Sequence, residues 1–506
     1  MTHGMDRRAF LGSAGLALAL MGISAAPAWA QPRFAANPFA LGVASGDPEP
    51  DGVVLWTRLA PEPLAADGMG GMPPAVVPVA WEMARDERFT QIVRRGTEPA
   101  MPELGHSVHV EVHGLAPSSV YYYRFRAGEE ISAVGRTRTA PDPRRRTDSV
   151  TFALASCQAW VGGRYAAYRN MAQEDLDLVV HVGDYTYEGR GTESLADFRL
   201  IHSRYKTSPD LQAAHAAFPF VLTFDDHEVE NNWAAGVSQP DGEASNDPAR
   251  FTALRTAAYQ AYYENLPLRR TSRPRGDAIQ LFRRIGYGDL ATFHVLDTRQ
   301  YRDPQLNPGF PGAPRDPRVD DPARTFTGPE QERWLFDGLD GSRSRWNVLA
   351  QQTIMAPYDY DTGPGVSVNH DQWDGYAAAR QRVLDHVARR RPSNPVVITG
   401  DWHSSWVNDL HAVPTDLESP LVATEFVGTS ISSGCGWADD VAAALPVNPQ
   451  VRFFDGSRRG YVRCTVTPEQ WRSDYRVVAS AGDTASPATT LTSWTVADGT
   501  PGAQPA

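Results

Sequence analysis

Lysine is nearly absent from this sequence. Of its 48 lysines and arginines only Lys206 is a lysine. Arginine therefore carries almost all the positive charge, a composition bias that also suits bidentate contact with carboxylate and phosphate. Cysteine is scarce too. Cys157, Cys435 and Cys464 make an odd count, which argues against a disulfide framework and leaves only a Cys435–Cys464 pair open. Positive charge is in deficit overall, with 60 acidic residues and a net charge of −12 over 506 residues. That deficit argues against a stable nucleic-acid partner or an anionic membrane, but not against a small anionic substrate held by metal ions. Past residue 30 no apolar run is long enough to span a bilayer, and there is no internal repeat.

What is present begins with an export signal. Asp6-Arg7-Arg8-Ala9-Phe10-Leu11 opens a Gly/Ala-rich apolar stretch that ends in the small-x-small site Ala28-Trp29-Ala30. The arginine pair before a weakly apolar core reads as a twin-arginine signal over residues 1–30. It implies the export machinery as a partner and a periplasmic or secreted location. The mature chain starts near Gln31.

Residues 31–145 read as all-β. Val108, Val110 and Val112 alternate with His109, Glu111 and His113, the period of a half-buried strand. Leu115-Ala116-Pro117 ahead of Val120–Phe125 resembles the tyrosine corner of immunoglobulin-like and fibronectin-like sandwiches. From 149 to 497 strands alternate with helices, an α/β layout in which ligands gather at the carboxyl ends of strands. Val237–Pro248 and Asp303–Pro329 read as long loops, and 498–506 as a mobile tail.

Four strand ends carry chemistry. Cys157 follows the apolar run Val150–Ala155; alone it reads as buried filler, or as a thiolate able to ligate a transition metal. Gly183-Asp184-Tyr185-Thr186-Tyr187 offers a carboxylate that can bridge two cations and a phenol suited to trivalent iron. Asp225-Asp226-His227-Glu228, with Asn231-Asn232-Trp233 beyond it, follows Phe218–Phe224. So many carboxylates beside an apolar strand call for a cation. Asp226 is the leading ligand, with Asn232 next and Asn231 as the rival, and His227 is placed to protonate a leaving group. Gly400-Asp401-Trp402-His403 puts two donors on one side of an extended segment. Two adjacent cations would clamp a phosphoryl group and activate water.

Together Cys157, Gly183-Asp184-x-x-Tyr187, Asp225–Glu228 and Gly400-Asp401-x-His403 resemble the PhoD-like alkaline phosphatases, within the calcineurin-like and purple-acid metallophosphoesterases. Gly42–Pro48, Val53–Arg58, Leu296–Arg302 and Trp373–Tyr376 are similar to further blocks of that family. The resemblance implies a four-layer α/β/β/α sandwich preceded by a small immunoglobulin- or fibronectin-like domain. It implies Fe(III) on Cys157, Tyr187 and His403, a bridging Asp184, and Ca(II) served by Asp226, Asn232 and Asp401. In the wider superfamily asparagine is usual where Asp226 stands and histidine where Asp401 stands. Both changes install hard oxygen donors, which calcium favours. The reaction implied is attack of a metal-bound hydroxide on a small phosphate ester, releasing inorganic phosphate, with Arg164 and Arg299 as candidate substrate contacts. A phosphodiesterase acting on phospholipid or nucleic acid through the same site is one alternative. An adhesion or carbohydrate-binding protein working through residues 31–145 is another.

Overall fold

The computed structural model describes residues 33–238 and 247–506. The expected export signal and most of the loop expected over 237–248 lie outside those residues.

Buried apolar strands lie at the centre of the fold. Val150–Ala155, Leu178–His181 and Pro219–Leu222 are almost wholly buried and run parallel, side by side. They lie in a ten-stranded sheet. Ala291–Val295, Trp346–Ala350, Pro395–Thr399 and Leu421–Val427 form the parallel heart of a seven-stranded sheet. Side chains alternate across each sheet, as the two-residue period requires. Phe152, Leu154 and Val180 of the first sheet share one core with Phe293, Val348 and Ile398 of the second. Ala153, Val179 and Phe220 point the other way, into a core with the helices Leu195–Lys206, Pro209–Ala217 and Pro248–Asn265. The outer face of the seven-stranded sheet packs on Gly328–Gly341 and Ala377–Arg390. The protein is thus a mixed α/β structure with an N-terminal all-β region.

That N-terminal region is not self-contained. Val43–Glu49 pairs in parallel with Pro219–Leu222, and Gly52–Arg58 and Ser107–His113 extend the same ten-stranded sheet to its edge. The other strands, among them Val77–Ala84 and Val120–Ala127, form a five-stranded sheet packed against them. The tyrosine corner is present: Ala116 N–H donates to the Tyr121 hydroxyl at 3.0 Å.

One expectation at the C-terminal end changes, and the open question of a Cys435–Cys464 pair is answered. The tail over 498–506 is built in: Gln504–Pro505 pairs with Thr489–Ala497, Ala503 is buried, and Gly502 N–H donates to Thr424 Oγ1 at 3.0 Å. Cys435 and Cys464 are both free thiols. Among the described residues no helix is long and apolar enough to cross a membrane.

Candidate metal centre

The carboxyl ends of both sheets open onto one cavity of about 410 Å³, whose lining includes Asp184, Asp226, His227, Asp401 and His403. The ten-stranded sheet delivers Cys157, Asp184 and Asp226 past three adjacent strands. The seven-stranded sheet delivers Asp401 and His403 past Pro395–Thr399. The turns are tight: Gly183 has φ of +119°, and a Cβ there would lie 2.4 Å from Cβ of Asp225. Only glycine lets the two ligand loops touch. Cys157, Asp184, Asn232, Asp401 and His403 all have left-handed backbones, with φ of 57°, 55°, 56°, 61° and 53°. Each such residue costs of order 1 kcal/mol or more, and strain of this kind collects at functional sites.

Two overlapping donor sets result. Cys157, Asp184 and His403 bring a sulfur, an oxygen and a nitrogen within 4.8 Å of one another. Asp184, Asp225, Asp226 and Asp401 do the same with four carboxylates. Asp184 belongs to both. The Tyr187 hydroxyl lies 2.8 Å from Asp184 Oδ2 and 2.9 Å from His403 Nε2, and accepts from Ser433 Oγ at 2.7 Å. His403 Nδ1 lies 2.7 Å from the Gly434 carbonyl, so that nitrogen carries the proton and Nε2 presents a lone pair. The single phenol proton can satisfy only one of its two acceptors. Asp184 Oδ1, Asp225 Oδ2 and Asp226 Oδ1 are buried and accept no hydrogen bond among the described residues. Lone pairs of buried atoms therefore face lone pairs, an arrangement that fits cations.

The electrostatics match. Burial, reinforced by Asp184 and Asp401, pushes the Cys157 thiol well above its ordinary range. Burial and then Asp184 raise the Tyr187 phenol likewise. Burial and then Asp226 push Asp401 up to about 8. Asp226 goes the other way: burial opposes its ionisation, but Arg299, His227 and the Asn232 N–H outweigh it. Burial would neutralise His227, yet Glu188, Asp226 and Asp184 together hold its pKa well above the usual value.

Of the sequence-predicted residues, the cavity gathers Asp184, Asp226, His227, Asn232, Asp401 and His403, with Cys157 and Tyr187 bonded into the same cluster. Asn231 and Asn232 both reach it; Asn232 is the one whose N–H donates to Asp226 Oδ2, at 2.7 Å. The two arginines are placed differently. Arg164 is exposed and lies outside the cavity lining. Arg299 is fully buried, donating to Asp225 at 2.5 Å and Asp371 at 2.7 Å, so it acts beneath the site as a counter-charge and not as a substrate contact.

Glu228 is in a motif the sequence singles out, but its role escapes sequence reasoning, as Glu188 and Asp371 do altogether. Glu228 accepts the backbone N–H groups of Asp184 at 3.2 Å, of Asp225 at 2.8 Å, and of Tyr185, so one carboxylate ties two ligand loops together. Glu188 accepts from His227 Nδ1 at 2.7 Å. Asp371 receives Arg299, Arg302 and Gln305. The only hint in the sequence is the acidic character of these stretches.

An α/β protein whose two sheets gather carboxylates, imidazole, thiol and phenol in one cluster has the groups to hold a metal ion. The family model described as "PhoD-like phosphatase" matches residues 152–475, and "PhoD-like phosphatase, N-terminal domain" matches residues 24–141. Alkaline phosphatase D of Bacillus subtilis (strain 168) is 49% identical over 500 residues, covering 94% of this chain and 84% of that protein. A solved structure described as "Structure of PhoD" is similar with a TM-score of 0.88 and 46% identity, covering 94% of this chain and 93% of that one. The chain belongs to the PhoD-like phosphatase family, and it is a phosphoric ester hydrolase. Three of the N-terminal strands are built into the sheet that carries Cys157, Asp184 and Asp226.

Proposed function

We propose that this phosphatase depends on two metals, with Fe(III) on Cys157, Tyr187 and His403, Ca(II) on Asp226, Asn232 and Asp401, and Asp184 bridging. The convergence of a thiol, a phenol, an imidazole and carboxylates on Asp184 carries this reading. Bound there, the cations would supply Lewis acidity to activate water and neutralise charge on the phosphoryl group. The chain's own residues do the rest. Glu228 fixes the spacing of the two carboxylate loops. Arg299 balances part of the acidic floor from below. His227, aligned by Glu188 and tilted against Tyr187 with ring centroids 4.3 Å apart, would give a proton to the departing ester oxygen. The substrate is a small phosphate ester, and inorganic phosphate is released.

The three cores that join helices, sheet, sheet and helices support a four-layer α/β/β/α arrangement. The gap between the two family models supports a boundary near 145, between an N-terminal unit over 31–145 and a catalytic unit over 149–497. The signal over 1–30 supports export by the twin-arginine route; replacing Arg7 and Arg8 by lysine should trap the protein in the cytoplasm. The decisive test is elemental analysis with a visible spectrum of the folded protein. Iron with calcium, and a tyrosinate-to-iron band that Tyr187→Phe abolishes, supports the assignment. Zinc or manganese without that band overturns it.

A further inference from the structure

The donor floor occupies only part of the cavity. Its lining includes the polar side chains of His227, Asn231 and Asn369. It also includes three aromatic rings that touch one another and form a wall. Trp402, set between the ligands Asp401 and His403, is 4% exposed and packs 5.3 Å from Trp437. Phe310, on the long loop after Arg302, meets Trp437 edge-on at 4.8 Å and Trp402 at 5.6 Å. Single exposed apolar side chains are ordinary on a surface. Phe310 differs in place: it is 59% exposed, stands on two indoles, and lines the ligand cavity itself. Among the described residues lining this cavity there is no arginine or lysine.

We infer that the Phe310–Trp437–Trp402 wall is the subsite for the organic group of the ester, and that it selects a flat, uncharged group. The inference rests on the phosphatase reading and deepens it. A phosphoryl group seated on the floor leaves most of about 410 Å³ for the rest of the substrate, a volume in the range that holds an organic ligand. The ring nearest solvent is the one such a group would meet. Aromatic faces attract planar groups by stacking, whereas a second phosphate on the leaving group would find no arginine or lysine on the described lining to receive it, the His227 imidazole being held by Glu188. Aryl phosphates therefore suit the site, and esters bearing further phosphates do not.

The test uses the metal-loaded full chain with 2-naphthyl phosphate and glycerol phosphate as paired substrates. Phe310→Ala should lower the naphthyl-to-glycerol ratio of kcat/KM about tenfold, the effect of one stacking contact, acting through KM. Phe310→Tyr should restore the ratio. An unchanged ratio in Phe310→Ala, whether both esters slow equally or neither changes, overturns the subsite and leaves the phosphatase reading standing. Hydrolysis of neither ester by the wild-type chain overturns the phosphatase reading and the subsite with it.

Discussion

The two halves of the centre are built on opposite principles. Around Cys157, Tyr187 and His403 the donors are few, of three chemical kinds, and individually oriented: Ser433 and Gly434 fix the phenol and the imidazole. Around Asp225, Asp226 and Asp401 the donors are carboxylates crowded together, with buried Arg299 as their shared counter-charge. Orientation by hydrogen bonds makes a site selective for a metal's geometry. Crowded hard charge makes a site selective for charge and tolerant of geometry, as calcium sites are. The lesson is that one residue, Asp184, has to serve both designs at once.

The largest effect should come from removing that shared residue. Asp184→Asn is expected to empty both positions and lower phosphatase activity by at least about a thousandfold, measured with metal content on the same sample. If one metal stays at full occupancy, the two halves are independent and the bridging role fails. Next, Asp401→Asn should empty only the carboxylate half, costing about a hundredfold in rate while the tyrosinate band survives. Loss of the band there would erase the distinction between the halves.

Glu228→Gln should follow, with about a 10- to 100-fold loss of metal affinity. Both its oxygens accept backbone N–H groups, so the amide NH₂ would face donors and push the loops of Asp184 and Asp225 apart. Titration of metal into the stripped variant measures this, and an unchanged affinity would confine Glu228 to the fold.

The smallest effect concerns a carboxylate with ample positive partners. Glu174 is held by Arg463 at 3.0 Å, Arg476 at 3.1 Å and the Tyr461 hydroxyl at 2.8 Å. Burial opposes its ionisation, but Tyr461 and the two arginines outweigh it and lower its pKa. A lowered pKa means that its stabilisation is present above the unfolded value near 4.3 and fades as pH falls through the folded one. Glu174→Gln should therefore cost about 1 kcal/mol at pH 7, with the gap in melting temperature closing below pH 4. A gap that persists at low pH would mean packing, not charge, is what Glu174 contributes.

The residues that gather at the cavity were legible because strand ends advertise themselves: an apolar run, a glycine, then a donor. Asp184 and Asp401 follow Gly183 and Gly400 in that way, and Asp226 follows Phe224. What was not legible depends on partners distant in the chain. Arg299 meets Asp225 74 residues away, and nothing local separates such an ion pair from a substrate contact. Arg164 shows the reverse error, since an arginine soon after Cys157 in sequence turns outward in space. The N-terminal strands were visible from their alternation, but alternation is silent about which sheet a strand joins. Hence Val43–Glu49 appeared to belong to a separate sandwich until its pairing with Pro219–Leu222 was seen. The tail was misread because glycine and proline signal an irregular path, and an irregular path can still be anchored.

That ten-stranded sheet also dictates when the enzyme can come into being. It takes strands from residue 43 at one extreme and residue 505 at the other, flanking the three that carry Cys157, Asp184 and Asp226. During synthesis the first strands must wait for a partner made some 170 residues later, and the strands on the opposite flank are made later still. Sheets closed by such distant segments assemble slowly and stay vulnerable while incomplete. The strands that carry Cys157, Asp184 and Asp226 therefore gain one flank from chain made before them and the other from chain made long after.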